Sequence, residues 1–195
     1  AHNAVAPDWP MRIACLLALL IASATPAWAQ STPPAITPSP VASTAPTAAE
    51  ADVASVDAIV KALYDTISGP AGKARDWKRL RSLLVPEARM MPVGKRPDGE
   101  VRMRILGVND YIATSAPLIE KNGFSEREIA RREERFGNIA QVFSTYEART
   151  ELEPIHLRGI NTIQLMHDGK RWWIVSLMWQ VEAPELPLPK DYLPK

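Results

Sequence analysis

Two stretches decide the fold: residues 136–147, Phe-Gly-Asn-Ile-Ala-Gln-Val-Phe-Ser-Thr-Tyr-Glu, and residues 160–182, INTIQLMHDGKRWWIVSLMWQVE. After Gly137-Asn138 in the first stretch, apolar and polar side chains alternate between two faces with the period of a β-strand. In the second stretch, Asp168-Gly169 separates two long apolar runs and is typical of a β-hairpin turn. The sequence therefore predicts a sheet that ends in a long antiparallel pair.

Helical patterns precede these strands. Apolar residues recur every three or four positions in residues 53–67, in the shorter segment 77–84 and again in residues 108–123. A short hairpin is predicted within residues 88–105, around a Pro-Asp-Gly turn. Helices followed by strands favour an α+β fold with the helices on one face of an antiparallel sheet.

The segment 125–135 is rich in charged residues and has no apolar stripe. Glu128 and Arg132, and likewise Arg131 and Arg135, have the spacing of neighbours on a helix. The pattern alone therefore favours a solvated helix. Because its acidic and basic residues balance, we interpret the segment as a solvated surface rather than a polyanion site.

The order of elements, together with residues 136–147 and 168–176, resembles the nuclear transport factor 2-like superfamily and, more narrowly, its SnoaL-like group of secreted bacterial proteins. The resemblance covers residues 51–183. It implies a cystatin-like cone, in which N-terminal helices pack on a strongly curved antiparallel sheet around a deep pocket. It also implies that residues 126–135 form a strand paired with residues 138–149, and we adopt the strand over the helix.

The N-terminal region has the layout of a secretory signal peptide. In residues 11–29, Arg12 precedes the apolar run 13–22, and Ala27-Trp28-Ala29 forms a small-x-small ending. We predict cleavage after Ala29 and a periplasmic or secreted protein. The apolar run is too short to span a bilayer as a helix, so we predict no permanent membrane anchor.

The segments outside the domain are assigned from composition. We interpret residues 1–10 as an upstream extension or artefact, and residues 30–50, rich in Pro, Ala, Ser and Thr, as a disordered linker. Residues 184–195 form a proline-rich tail that cannot pair as a central strand.

Charge and cysteine content bound the partners. A formal net charge of +1 is far from the basic balance that nucleic-acid binding requires, so we predict no nucleic-acid partner. The single cysteine, Cys15, leaves with the signal peptide, which excludes cysteine-based redox and zinc sites. With His156 and His167 the only histidines after cleavage, we predict no metal site and no cofactor.

Six residues are candidates for ligand binding. The resemblance assigns one face of the last strand to the pocket, together with the matching face of the strand before it. Aromatic residues elsewhere either offer a phenol or indole to the ligand or are core residues with satisfied polar tips. The candidates are Tyr64, Trp77, Tyr146, Asn161, Ser176 and Met178.

No catalytic residue is assigned, because the candidates on the last two strands, Asn161, Ser176 and Met178, are not general acids or bases. Three acids stay open as catalytic alternatives, but each has a structural explanation: Glu87 as a turn residue, Asp110 as a helix N-terminal charge and Glu147 as an exposed strand charge. We interpret His156 and His167, which flank the penultimate strand, as solvated side chains.

Three functions remain open. The first is an exported protein that binds a hydrophobic small molecule in the pocket, with no evident reaction. The second is an isomerase, cyclase or dehydratase that acts on a hydrophobic carbonyl compound. This requires a buried carboxylate or histidine with a raised pKa that faces the cavity. The third is a protein-interaction module that uses the sheet surface.

A homodimer is expected from the other face of the last strand. By the same assignment, that face points away from the cone and would expose an apolar strip larger than soluble proteins usually tolerate. A two-fold interface would cover it with a second copy. The strip consists of Trp173, Val175, Leu177, Trp179 and Val181.

Overall fold

The computed structural model describes residues 45–152 and 155–195. The signal peptide predicted at residues 11–29 and most of the linker predicted at residues 30–50 lie outside these ranges. Ala45 and Ala48 pack against the hydrophobic core, so the packed region begins before position 50. No helix in the described part of the chain has both the length and the apolar content needed to cross a membrane.

The described residues form four α-helices, six β-strands and a short 3₁₀ turn. In chain order these are α1 Glu50–Val53, α2 Val56–Ile67, α3 Trp77–Leu83, β1 Leu84–Lys95, β2 Val101–Met103, α4 Val108–Asn122, β3 Ser125–Phe136, β4 Ile139–Arg149, β5 His156–His167, β6 Trp172–Val181 and the 3₁₀ turn Lys190–Tyr192.

The six strands form one curved sheet in the order β2-β1-β6-β5-β4-β3. All neighbours are antiparallel except β1 and β6, which run parallel. The predicted α+β class is confirmed, and this parallel pair is its one departure from an antiparallel sheet. The charged segment 125–136 is a strand paired with β4, as the resemblance implied, and the helix favoured by its charge pattern is wrong.

Helix α2 packs on one face of the sheet, here called the inner face. It begins after Ser55, whose hydroxyl accepts a hydrogen bond from the Ala58 backbone N–H at 3.0 Å and so satisfies one free donor of the first turn. Its apolar stripe, with Ile59, Val60 and Leu63 at its centre, is buried. Each such side chain contributes about 1.5–3 kcal/mol through burial, which is enough to fix the helix on the sheet.

A one-residue bulge interrupts the pairing of β3 with β4. Glu128 pairs with Tyr146 and Ala130 pairs with Thr145, which leaves Ile129 without a partner. An inserted residue reverses the face of the side chains beyond it, because strand side chains alternate with a period of two. The acidic side chains that precede the bulge therefore face inward.

A second bulge interrupts the pairing of β6 with β5. Ile174 pairs with Leu165 and Ser176 pairs with Gln164, which leaves Val175 without a partner. Ile174 and Leu165 are both buried under the helices. Beyond Val175, the side chains of β6 face the side opposite to the one that strict alternation predicts.

Because of this second bulge, the face of β6 predicted to line the pocket is wrong beyond Val175. Ser176 and Met178, predicted to face the pocket, lie on the outer face of the sheet, and Met178 is exposed there. Leu177, Trp179 and Val181, predicted to face outward, line the inner cavity instead.

The strip predicted as the homodimer interface is therefore not one surface. Leu177, Trp179 and Val181 face inward, and Trp173 is 3% exposed. Of the five residues, only Val175 is exposed on the outer face. The homodimer stays a prediction, but this strip no longer supports it.

The proline-rich tail packs on the outer face of the sheet. The Tyr192 ring lies 5.7 Å from the Phe143 ring, and the Thr145 hydroxyl donates to the Tyr192 carbonyl at 2.7 Å. The Leu188 backbone N–H donates to the Glu182 carboxylate at 2.9 Å. The tail therefore covers part of the outer face that β4 and β6 present.

Arg75 is a buried cation whose hydrogen-bond acceptors are backbone carbonyls. Its guanidinium donates to the carbonyl oxygens of Ile67, Gly69, Pro70, Lys73 and Ile119. These carbonyls belong to the end of α2, the following loop and the end of α4. One side chain therefore joins both helices that border the cavity.

We expect Arg75→Ala to lower the free energy of unfolding by about 3 kcal/mol, because several buried carbonyls lose their donor together. Denaturant unfolding measures the change. The matched control is Arg96→Ala in the exposed turn between β1 and β2, which should stay within about 0.5 kcal/mol of the parent. Equal, small losses in both variants would contradict the assigned role of Arg75.

Candidate functional site

A cavity of about 210 Å³ lies between the inner face of the sheet and helices α2 and α4. Much of its wall is apolar and includes Leu63, Ile67, Phe124, Leu177 and Trp179. Its polar lining consists of Tyr64, Tyr111, Ser115, Glu126, Tyr146 and Asn161. The volume is below the roughly 300–1,000 Å³ of pockets for drug-sized ligands, so the cavity suits a smaller molecule.

Glu126 brings a carboxyl group into this cavity. Near the start of β3, its backbone N–H donates to the Ser68 hydroxyl at 2.9 Å, and that hydroxyl donates back to the Glu126 carbonyl at 3.2 Å. Ser68 is the C-cap residue of α2, so these two bonds fix Glu126 against the end of that helix. The bulge at Ile129 then directs its side chain inward.

Two opposing effects set the protonation of Glu126. Burial disfavours the charged carboxylate and raises its pKa to about 7. The Asn161 side-chain amide donates to Glu126 Oε1 at 2.9 Å, which favours the charged form and limits the rise in pKa. The group is therefore divided between acid and base forms near neutral pH.

Three tyrosines surround this carboxyl group. Burial, followed by the nearby charge of Glu126, raises the pKa of Tyr64, Tyr111 and Tyr146 above the ordinary value for a phenol. All three phenols are therefore protonated at neutral pH and able to donate hydrogen bonds.

Tyr146 is the phenol that is available to a ligand. Its ring lies over Gly159 on the neighbouring strand, where an added Cβ would fall 2.6 Å from the hydroxyl oxygen and 2.4 Å from the Gln180 carbonyl. Only glycine leaves this space. Among residues 45–152 and 155–195, no group forms a hydrogen bond with the Tyr146 hydroxyl, although this hydroxyl borders the cavity.

Asn161 connects the cavity to a buried chain of hydrogen bonds. Its amide nitrogen lies 3.1 Å from the Tyr64 hydroxyl, which lies 2.6 Å from the Ser144 hydroxyl. Ser144 in turn donates to the carboxylate of Glu128. The chain links α2, β3, β4 and β5 beneath the cavity.

The structure brings half of the predicted ligand-binding residues together. Those that line the cavity are Tyr64, Tyr146 and Asn161. Trp77 is not among the lining residues; its indole N–H donates to Glu120 at 2.8 Å and joins α3 to α4. Ser176 and Met178 lie on the outer face. That any of these residues binds a ligand stays a prediction.

The other acids and the histidines lie away from the cavity. Glu87 is exposed, Asp110 lies at the N-terminus of α4, and Glu147 is ion-paired with arginines. His156 lies beside Glu147, and His167 accepts a backbone hydrogen bond within the Asp-Gly turn. In the described ranges, no cluster of three or more acidic or histidine side chains has the arrangement of a metal site.

Glu126 is not among the candidate site residues predicted from sequence, because it falls in the segment 125–135 interpreted as solvated surface. Counting back from the turn at Gly137-Asn138 with strict alternation pairs Glu126 with Arg149, on the outer face. The bulge at Ile129 moves its partner to Ala148, on the inner face. The register of the β3–β4 hairpin determines which face of the sheet Glu126 takes. The charge pattern of the segment does not reveal that Ile129 is an inserted residue.

No protein-family model and no curated protein sequence matches the chain. Solved structures do match. A protein of unknown function with a cystatin-like fold from Nostoc punctiforme PCC 73102 has a TM-score of 0.50 and 9% sequence identity over 69% of this chain and 92% of that chain. A protein with a cystatin-like fold from Caulobacter vibrioides also has a TM-score of 0.50, with 8% identity over 70% of this chain and 93% of that chain.

A third match is an NTF2-like protein of unknown function from Methylobacillus flagellatus KT. Its TM-score is 0.45, with 15% identity over 66% of this chain and 95% of that chain. The likeness to the two structures with a TM-score of 0.50, at 8% and 9% identity, concerns the fold alone.

The raised pKa of Glu126 predicts a characteristic dependence of stability on pH. The unfolded chain releases this proton near pH 4.5 and the folded chain near pH 7. As pH rises between these values, the contribution of Glu126 to the free energy of unfolding falls by about 3 kcal/mol, and above pH 7 it is constant.

The measurement is chemical unfolding between pH 4.5 and 8 for the parent and for Glu126→Gln. The difference between the two curves should change across this window because glutamine does not titrate. Glu134→Gln, on the exposed outer side of the same strand, is the control and should follow the parent. Parallel curves for all three proteins would contradict the raised pKa.

Proposed function

We propose that this chain is an acid–base catalyst of the nuclear transport factor 2-like superfamily, which moves a proton on a small apolar carbonyl compound. Its fold matches two solved structures with a cystatin-like fold. The observation that carries the proposal is Glu126, whose carboxyl group lies in an apolar cavity with a pKa of about 7. A general base is most effective when its pKa lies near the working pH. This is the group that the second of the three functions required.

The proposed reaction begins with the charged form of Glu126. The carboxylate takes a proton from the carbon next to the carbonyl group, and the electron pair of that C–H bond moves onto the carbonyl oxygen as an enolate. The same carboxyl group then returns the proton to carbon at the original or a conjugated position. The overall change is proton exchange or isomerisation, with no net gain or loss of atoms.

Tyr146 is the proposed donor to the enolate oxygen. A positioned donor that faces developing negative charge in an apolar cavity stabilises the transition state more than a donor in bulk water does. The Tyr146 phenol is protonated and borders the cavity. No group in the described residues forms a hydrogen bond with its hydroxyl, which is therefore available to a ligand.

Binding without a reaction explains Glu126 less well. A neutral apolar ligand gains nothing from a carboxyl group that the protein holds in an apolar wall, and burying that group without a cationic partner costs stability. The proposal that a hydrophobic small molecule is the partner is common to both functions. The volume of about 210 Å³ favours a compact ring over a polycyclic substrate.

The test uses 3-cyclohexen-1-one, whose conversion to 2-cyclohexen-1-one requires proton removal beside the carbonyl and return at the far end of the enolate. We expect the parent to accelerate the conversion, with kcat/KM rising with pH and levelling above about pH 7. Glu126→Gln should lower kcat/KM by at least about 100-fold, and Tyr146→Phe by about 100-fold. Absorbance of the conjugated product follows the reaction.

Glu134→Gln is the matched control and should keep the parent rate. Binding of 4-nitrophenol, whose phenolate resembles an enolate, is measured in the same proteins. A parent no faster than buffer, with phenol binding unchanged in Glu126→Gln, would contradict the catalyst and favour a protein that only binds its ligand.

Export is the proposal for localisation, and it depends on the layout of residues 11–29. Expression from Met11 in a bacterium, followed by fractionation and N-terminal sequencing, should yield a periplasmic or secreted protein that begins at Gln30. An uncleaved chain in the cytoplasm would contradict it. Membership of the SnoaL-like group likewise stays a proposal.

A further inference from the structure

The buried chain beneath the cavity has a defined direction, which starts at Glu128. The carboxylate of Glu128 is paired with the guanidinium of Arg131 at 2.9 Å and offers only acceptor atoms. Ser144 therefore donates its single hydroxyl hydrogen to Glu128. With that hydrogen used, the Ser144 oxygen accepts from Tyr64, which lies 2.6 Å away.

This direction fixes the amide of Asn161. Because the Tyr64 hydroxyl hydrogen is used by Ser144, the Tyr64 oxygen is left as an acceptor toward Asn161. Only the nitrogen of the Asn161 amide can donate to it. The second hydrogen on the same nitrogen is then directed at Glu126 Oε1, 2.9 Å away.

The two carboxyl oxygens of Glu126 take different roles. Oε1 is held as an acceptor by Asn161, so in the neutral acid the proton lies on Oε2. The other titratable groups that face this carboxyl group are the phenols of Tyr64 on α2, Tyr111 on α4 and Tyr146 on β4.

We propose that Ser144 and Glu128 are positioning residues that orient the Asn161 amide toward Glu126, so that Glu126 Oε2 is the atom that carries and transfers the proton. Ser144 is fully buried and lies outside the cavity lining, so it acts through Tyr64 and Asn161 rather than on a ligand. This inference rests on the proposed function of Glu126 as the base.

The test follows the pKa of Glu126 by carbon-13 NMR of its side-chain carboxyl group, with no ligand present. In Ser144→Ala, Tyr64 loses its acceptor and turns its hydrogen to the Asn161 oxygen, which rotates the amide and removes the hydrogen bond to the charged form of Glu126. We expect the pKa of Glu126 to rise by about one unit. Ser144→Thr keeps the hydroxyl and should restore the parent value.

Two further variants separate positioning from general disturbance. Thr145→Ala removes the adjacent buried hydroxyl, which donates to the tail and not to this chain, and should leave the pKa of Glu126 unchanged. In a Tyr64→Phe background, where the chain is already interrupted, adding Ser144→Ala should cause no further shift.

The inference is overturned if Ser144→Ala, with a parent-like amide spectrum, leaves the pKa of Glu126 unchanged. It is also overturned if the shift persists in the Tyr64→Phe background or appears equally in Thr145→Ala. The titration needs no substrate, so its outcome is independent of the conversion of 3-cyclohexen-1-one, which tests the proposed function itself.

Discussion

Strand side chains alternate with a period of two, and the composition of the cavity depends on two residues inserted against that alternation. The bulge at Ile129 in β3 brings Glu126 to the inner face. The bulge at Val175 in β6 brings Trp179 inward and turns Ser176 outward. With both strands regular, the cavity would lack its carboxyl group and part of its apolar wall, while the order of the strands would be unchanged. Fold and site are thus set by different features of the chain.

The same apolar wall that shapes the cavity also determines the chemistry of its acid. Removal of water disfavours the carboxylate, and the single amide hydrogen bond from Asn161 opposes that effect only in part. The balance leaves neither form strongly favoured near pH 7. Burial also raises the pKa of the phenols of Tyr64, Tyr111 and Tyr146. Because a phenol is already protonated at neutral pH, this shift keeps the three tyrosines as hydrogen-bond donors. One environment therefore produces a titrating base beside fixed donors.

The fold was accessible from sequence because its signals are local. The turn at Asp168-Gly169 and the apolar stripe of α2 each depend on neighbouring residues, and both are present as predicted. The strand character of β3 came only from the resemblance, since its charges have helical spacing. Tyr64, Tyr146 and Asn161 were placed correctly at the cavity because their own segments are regular. Bulges depend on packing between distant strands, so no pattern within β3 or β6 revealed them.

Glu126 and Glu128, the two carboxylates of β3 that precede its bulge, show how neighbouring residues of one type take different roles. Glu128 is paired with Arg131 at 2.9 Å, so its charge lies beside a cation. The same guanidinium also contacts the carboxylates of Asp57 on α2 and Glu133 on β3. No salt bridge joins Glu126 to a basic side chain in the described residues, and its surroundings are the cavity wall and Asn161. A compensated carboxylate is a stable acceptor that can anchor hydrogen bonds, whereas an uncompensated one in an apolar wall exchanges its proton near neutral pH. Arg131 beside Glu128 makes that carboxylate a fixed hydrogen-bond acceptor. Glu126 has no such partner among the described residues, and its carboxyl group is therefore able to act as a base.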